Sequence, residues 1–154
     1  MGDSKVEGDN FKLHLVNRPT DIILAWGTIK DGFEKVLASG NGDETLDYIL
    51  QQIFNGTLLL WVGFDSDEYM GFFTTKKVVA PYKGKQVGTL IVNHAYKKNA
   101  NWNRSIQNQV DLFIDNHAKM SDCKVIKMYT QRVTDRYWNK FGYNRGYTEY
   151  IKEI

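Results

Sequence analysis

Hydrophobic positions along this chain change period several times, and the changes mark its elements. Phe11-Lys12-Leu13-His14-Leu15-Val16 alternates and predicts a short strand. Pro19 and Thr20 then open a helix, with Ile22, Ile23, Trp26, Ile29, Phe33, Val36 and Leu37 at helical spacing. Gly27 and Gly32 oppose that helix, each by about 1 kcal/mol relative to alanine. Gly40-Asn41-Gly42 stops it, and Asp43 is positioned to cap a second helix. The second helix carries Leu46, Ile49, Leu50, Ile53 and Phe54 on one face and ends at Asn55-Gly56.

The period then changes. Thr57-Leu58-Leu59-Leu60-Trp61-Val62-Gly63-Phe64 is a continuous apolar run, the signature of a strand covered on both faces. Asp65-Ser66-Asp67-Glu68 is a polar turn, Tyr69 to Val79 a second strand, and Pro81 to Lys85 another turn. Gln86 to Asn93 completes a three-stranded meander. His94 to Ala100 reads as a loop, followed by a helix from Asn101 to Ala118 with Trp102, Ile106, Val110, Phe113, Ile114 and His117 on one stripe. Lys124 to Thr130 is a strand, Thr134 caps a short helix through Phe141, and Gly146 to Lys152 closes as a strand. The order β-α-α-β-β-β-α-β-α-β implies a mixed sheet with helices on both faces.

Composition narrows the function classes. At 154 residues the chain suits one domain, read here as a polar tail over 1–10 and a domain over 11–154. Net charge is +2, too mild to point to a nucleic-acid or membrane partner. The scattered pairs Lys76-Lys77 and Lys97-Lys98, with Lys83 and Lys85, read as solvated strand and turn lysines. Cys123 is the only cysteine, which excludes an intrachain disulfide and fits a reducing compartment. No apolar stretch approaches the roughly 20 residues of a membrane span. His14, His94 and His117 lack metal-ligand spacing with one another or with Cys123, so no metal site is expected.

The end of the chain carries a resemblance. Asp135-Arg136-Tyr137-Trp138-Asn139-Lys140-Phe141-Gly142-Tyr143 looks like the late helix and glycine-aromatic ending of the GCN5-related N-acetyltransferase (GNAT) family. Gly56-Thr57-Leu58-Leu59-Leu60-Trp61-Val62-Gly63 and Met70-Gly71-Phe72-Phe73-Thr74 resemble the small GNAT-like proteins encoded by tailed bacteriophages. The resemblance spans Phe11 to Ile154. It implies an α/β (α+β) fold with a mixed, mostly antiparallel sheet of about six strands and helices on both faces. It also implies that the strands Gln86–Asn93 and Lys124–Thr130 splay apart and hold acetyl-CoA, or another acyl-CoA, between them.

Site residues follow from the same resemblance. The backbone of Ile91, Val92 and Asn93 would hold the pantetheine arm. Lys97, Lys98, Asn99, Ala100 and Asn101 would face the pyrophosphate beside a helix N-terminus. That stretch has neither glycine of the family's phosphate motif, so a Cβ stands where backbone normally approaches the phosphate. Trp138 occupies the register of the usual general-acid tyrosine, and Tyr137 lies one residue earlier, about 100° around the helix. Tyr137 is therefore the candidate acid and His94, on its loop, the candidate base. Two functions stay open: an acyl-CoA-dependent N-acyltransferase acting on an amine, and a non-catalytic GNAT-fold component of a phage virion or its assembly. The partners expected are accordingly an amine acceptor or phage structural proteins, in an oligomer or larger assembly. The compartment is the cytoplasm of a bacterial host cell, or the virion.

Overall fold

A computed structural model describes residues 10–38, 44–98, 103–129, 144–145 and 149–154. The elements run β1 (Phe11–Val16), α1 (Pro19–Ala38), α2 (Leu46–Phe54), β2 (Leu59–Asp65), β3 (Glu68–Tyr82), β4 (Lys85–Lys97), α3 (Arg104–Met120), β5 (Val125–Tyr129), β6 (Asn144–Arg145) and β7 (Glu149–Glu153). The strands form one sheet in the order β1-β2-β3-β4-β5-β7-β6. Every pairing is antiparallel except β4 with β5, so the sheet is mixed and mostly antiparallel as expected. The two-residue β6 is a strand the periodicity did not predict. The tail, the Gly40-to-Asp43 stop, Asn99 to Trp102 and the Thr134-to-Phe141 helix lie outside the described residues.

Two differences from the sequence reading matter for function. The β3–β4 hairpin is longer than the pattern implied, because the turn is only Lys83-Gly84, at φ 49° and 79°. Paired left-handed residues make the tight turn that matches strand twist, so Pro81 and Tyr82 stay in the ladder opposite Gln86 and Lys85. At its other end β4 runs to Lys97 rather than stopping at Asn93. The expected loop at His94 is therefore strand. Helix starts also shift: α2 is capped by Thr45, whose hydroxyl accepts from the Tyr48 N–H at 3.2 Å, and α3 by Asn103 rather than beginning at Asn101.

Each face of the sheet has its own core. On one face Ile22, Ile29 and Phe33 of α1 and Ile49 and Ile53 of α2 pack on Leu60, Val62 and Phe72. On the other, Ile106, Val110, Ile114 and Ala118 of α3 pack on Phe73, Leu90, Val92 and Ile126. Glycine sets the first contact: a Cβ on Gly32 would lie 2.7 Å from both Phe72 and Tyr96, so α1 sits close on β3 and β4. This explains why α1 tolerates a residue unfavourable to helices. The last strand is pinned to α3 by Lys152, whose ammonium meets Asp115 at 2.9 Å and Asp111 at 3.7 Å.

Gly71 holds the far end of β4 in place. Its φ is 153°, and a Cβ there would lie 2.1 Å from the Tyr96 carbonyl oxygen. Gly71→Ala is expected to cost about 2–3 kcal/mol in urea unfolding, through backbone strain and a clash that neither strand can relieve. A loss below about 0.5 kcal/mol would show that the two strands slide freely there.

Candidate active site

The parallel pairing of β4 with β5 runs only from Thr89↔Val125 to Val92↔Met128. Just beyond it, the β3 register jumps from Thr75↔Val92 to Thr74↔His94, leaving Asn93 as the extra residue of a β-bulge. A bulge bends its strand and ends local pairing. From Asn93 onward β4 stays with β3, while β5 ends at Tyr129. Among the described residues no strand pairs with the β5 side of β4 past Val92. The first turn of α3 holds Arg104 and no acidic residue.

The bulge also reverses which side chains face which core. Leu90 and Val92 point into the α3 core. Regular alternation would send residue 94 the same way. With Asn93 inserted, His94 and Tyr96 turn to the α1 face instead, His94 edge-on to Phe33 at 5.6 Å and Tyr96 beside Phe72 at 5.6 Å.

His94 is thus a buried strand residue, 4% exposed, and not a loop histidine. Its backbone N–H donates to Thr74 Oγ1 at 3.1 Å, and its Nδ1 lies 2.8 Å from the same oxygen. Its Nε2 lies 3.3 Å from Glu44 Oε1. A carboxylate only accepts, so Nε2 carries the ring hydrogen and donates to Glu44. Nδ1 then accepts from the Thr74 hydroxyl, a tautomer assigned from the network. Burial holds the imidazole below its ordinary pKa, with Lys76 pushing the same way and Glu44 opposing. The neutral ring therefore has both nitrogens committed. Thr74 and Glu44 went unnoticed in the sequence because one lies in an apolar run and the other, next to a helix cap, is 50 residues from its partner.

The other candidates are placed as follows. Ile91 and Val92 are buried and paired on both sides, with Lys76 and Thr75 of β3 and with Lys127 and Met128 of β5. Lys98 donates its N–H to the Met70 carbonyl at 2.9 Å, and its ammonium lies 5.6 Å from the Tyr69 ring. It thus helps line a shallow cavity of about 280 Å³ on the α1 face, with Thr28, Asp31, Lys35 and Tyr96. Lys97 ends β4 opposite Gly71. Asn99, Ala100, Asn101 and Tyr137 lie outside the described residues. Cys123 is buried in the α3 core, and burial pushes its thiol pKa up, as suits packing rather than nucleophilic attack. Among the described residues no His, Cys, Asp and Glu group could hold a metal, and no helix is long and apolar enough to cross a membrane.

No protein-family model matches this sequence, and no curated protein does. Solved structures do. NAA60 from Arabidopsis thaliana, in complex with a bisubstrate analogue, superposes with a TM-score of 0.67 at 14% identity, over 94% of this chain and 99% of that one. A predicted acetyltransferase from Clostridium acetobutylicum, with acetyl-CoA, gives 0.63 at 16% identity over 90% and 91%. The PaiA N-acetyltransferase from Thermoplasma acidophilum, with coenzyme A, gives 0.60 at 13% over 93% and 99%. The chain has the GNAT fold.

The buried imidazoles give a pH signature. Burial depresses the pKa of both His94 and His117 in the folded chain. Their contribution is fully present above the unfolded value of about 6.5 and is lost as pH falls through the depressed folded values. Melting temperature should fall on acidification below about pH 6.5, and His94→Gln should flatten part of that fall. An equally steep decline in the variant would show that other groups cause it.

Proposed function

We propose that this chain is an acyl-CoA-dependent N-acyltransferase that moves an acetyl group to an amine. One observation carries the reading: the Asn93 bulge, past which no strand among the described residues pairs with the β5 side of β4. Strand-edge amides are the natural partners of an extended amide-bearing arm, as in β-strand addition. The α3 N-terminus adds a positive dipole end and Arg104 where phosphates would lie. Ile91 and Val92 are paired with both β3 and β5, so of the expected backbone stretch Ile91 to Asn93 only the Asn93 end can take the acyl-CoA arm, with Lys97 and the stretch Asn99 to Asn101 beside the phosphates. Three structural neighbours were solved with coenzyme A, acetyl-CoA or a bisubstrate analogue, which supports the same ligand class. Another, an aminoglycoside acetyltransferase, was solved with sisomicin, which supports an amine acceptor.

At the Asn93 end of the Leu90-to-Asn93 stretch, beyond the last β5 pair, backbone N–H would polarise the thioester carbonyl, since donors fixed in place lose nothing to reorganisation. Tyr137 keeps the role of proton donor to the CoA sulfur. Its support is the motif alone, with Trp138 in the usual register.

Isothermal titration with acetyl-CoA tests the reading directly. Saturable binding with a micromolar dissociation constant is expected, weakened about 3–10-fold by Arg104→Glu. No heat with millimolar acetyl-CoA would leave the non-catalytic reading, which the glycine-free Lys97-to-Asn103 stretch favours.

A further inference from the structure

The polar chain on the α1 face has an inner end and an outer end. Thr74 is fully buried. The His94 side chain is 3% exposed, whereas that of Glu44 is 35% exposed. His94 cannot touch an acceptor from where it lies, and its neutral ring has no lone pair to spare. The carboxylate is the only member of the chain that solvent, and hence an amine, can reach. It has one oxygen engaged by Nε2 and another available for a proton. Thr45 fixes its position by capping α2 one residue later. His94 directly follows Asn93, so the middle of the chain sits beside the point where the β4–β5 pairing stops, and Glu44 lies one hydrogen bond further out.

We propose that Glu44 is the general base of this site, held at the mouth of the cleft by a buried Thr74–His94 pair. The proposal rests on the acyl-transfer reading above. The acceptor arrives as an ammonium from the α1–α2 side and gives one proton to the Glu44 carboxylate. The freed amine nitrogen attacks the thioester carbonyl carbon. A C–N bond forms, the C–S bond breaks, and the departing thiolate leaves as thiol with the proton of the donor named above, Tyr137, which is restored by the second nitrogen-bound proton. The carboxyl then returns its proton to solvent. Throughout, His94 keeps its hydrogen on Nε2 and orients the carboxylate, which makes it and Thr74 positioning residues. The charged groups facing the ring are Glu44 and, from β3, Lys76; α1 offers it only Phe33.

Glu44→Gln in the full chain is the test, because the amide oxygen still accepts from Nε2 and the fold is kept. Release of CoA from acetyl-CoA would be followed with a panel of polyamines, aminoglycosides and peptide N-termini. At neutral pH kcat/KM should fall about 100-fold or more, with acetyl-CoA affinity unchanged. The deficit should shrink as pH rises, because acceptor then arrives already deprotonated. Nitrogen-15 NMR gives a readout independent of turnover. Wild-type His94 should show the Nε2–H tautomer, and its titration midpoint should drop further in Glu44→Gln, which lacks the carboxylate that favours imidazolium. A variant with wild-type kcat/KM and pH profile overturns the proposal while leaving acyl transfer standing. So does an Nδ1–H tautomer, or a His94 titration indifferent to residue 44. A wild-type chain that binds no acetyl-CoA removes the acyl-transfer reading, and the base with it, whatever the NMR shows.

Discussion

One extra residue in β4 governs the rest of this structure. Strand alternation is rigid: a residue points to one face and its neighbour to the other. Asn93 breaks that rule once, opposite the Thr74–Thr75 step of β3. Before it in β4, Leu90 and Val92 belong to the α3 core. His94 and Tyr96 after it belong to the α1 face. The same insertion falls where the described β4–β5 pairing stops, and a bulge both changes facing and interrupts pairing, so one residue accounts for both.

The bulge is stable only because both faces are filled. Phe33 is completely buried and stacks at 4.2 Å on Phe72, while Gly32 beside it lets α1 settle onto the same strands. Burying a phenylalanine contributes about 1.5–3 kcal/mol, enough to hold a short helix–sheet contact in register. On the opposite face Trp61 lies 4.7 Å from Phe113 and gives its indole N–H to Thr75 at 3.0 Å. The two β3 threonines at the bulge thus serve opposite faces, Thr75 a tryptophan of the core and Thr74 the imidazole of the site.

The elements were largely legible in the sequence because their periods are clean: α1, α2, β2 and α3 all overlap the segments the pattern marked, although Ile23 and Phe54 of the expected stripes are exposed. What failed was the end of β4. A bulge puts two consecutive residues where alternation allows one, so the pattern past Val92 looked like a loop, and His94 with it. The partners of His94 were illegible for a different reason. Thr74 and Glu44 are 20 and 50 residues away, and only the fold makes them neighbours. The open edge itself was expected only through the family resemblance, since periodicity does not reveal where two paired strands part.

Backbone and side chains answer different questions here. A TM-score of 0.67 at 14% identity means that the chain path is shared while most side chains are not. In the proposed site the ligand would lie along a strand edge and a helix terminus, groups that any sequence with the same chain path supplies. The glycine-free stretch before α3 therefore weighs less against acyl-CoA binding than its side chains first suggest. Catalysis is another matter, because fold alone does not confer it. A buried threonine–histidine pair is costly unless every donor and acceptor is satisfied. In this chain it is satisfied only when Glu44 closes it at the surface. An apolar core would need no such arrangement on that face. The polar chain begins in the core at Thr74 and ends in a partly exposed carboxylate, an arrangement that suits the proposed base.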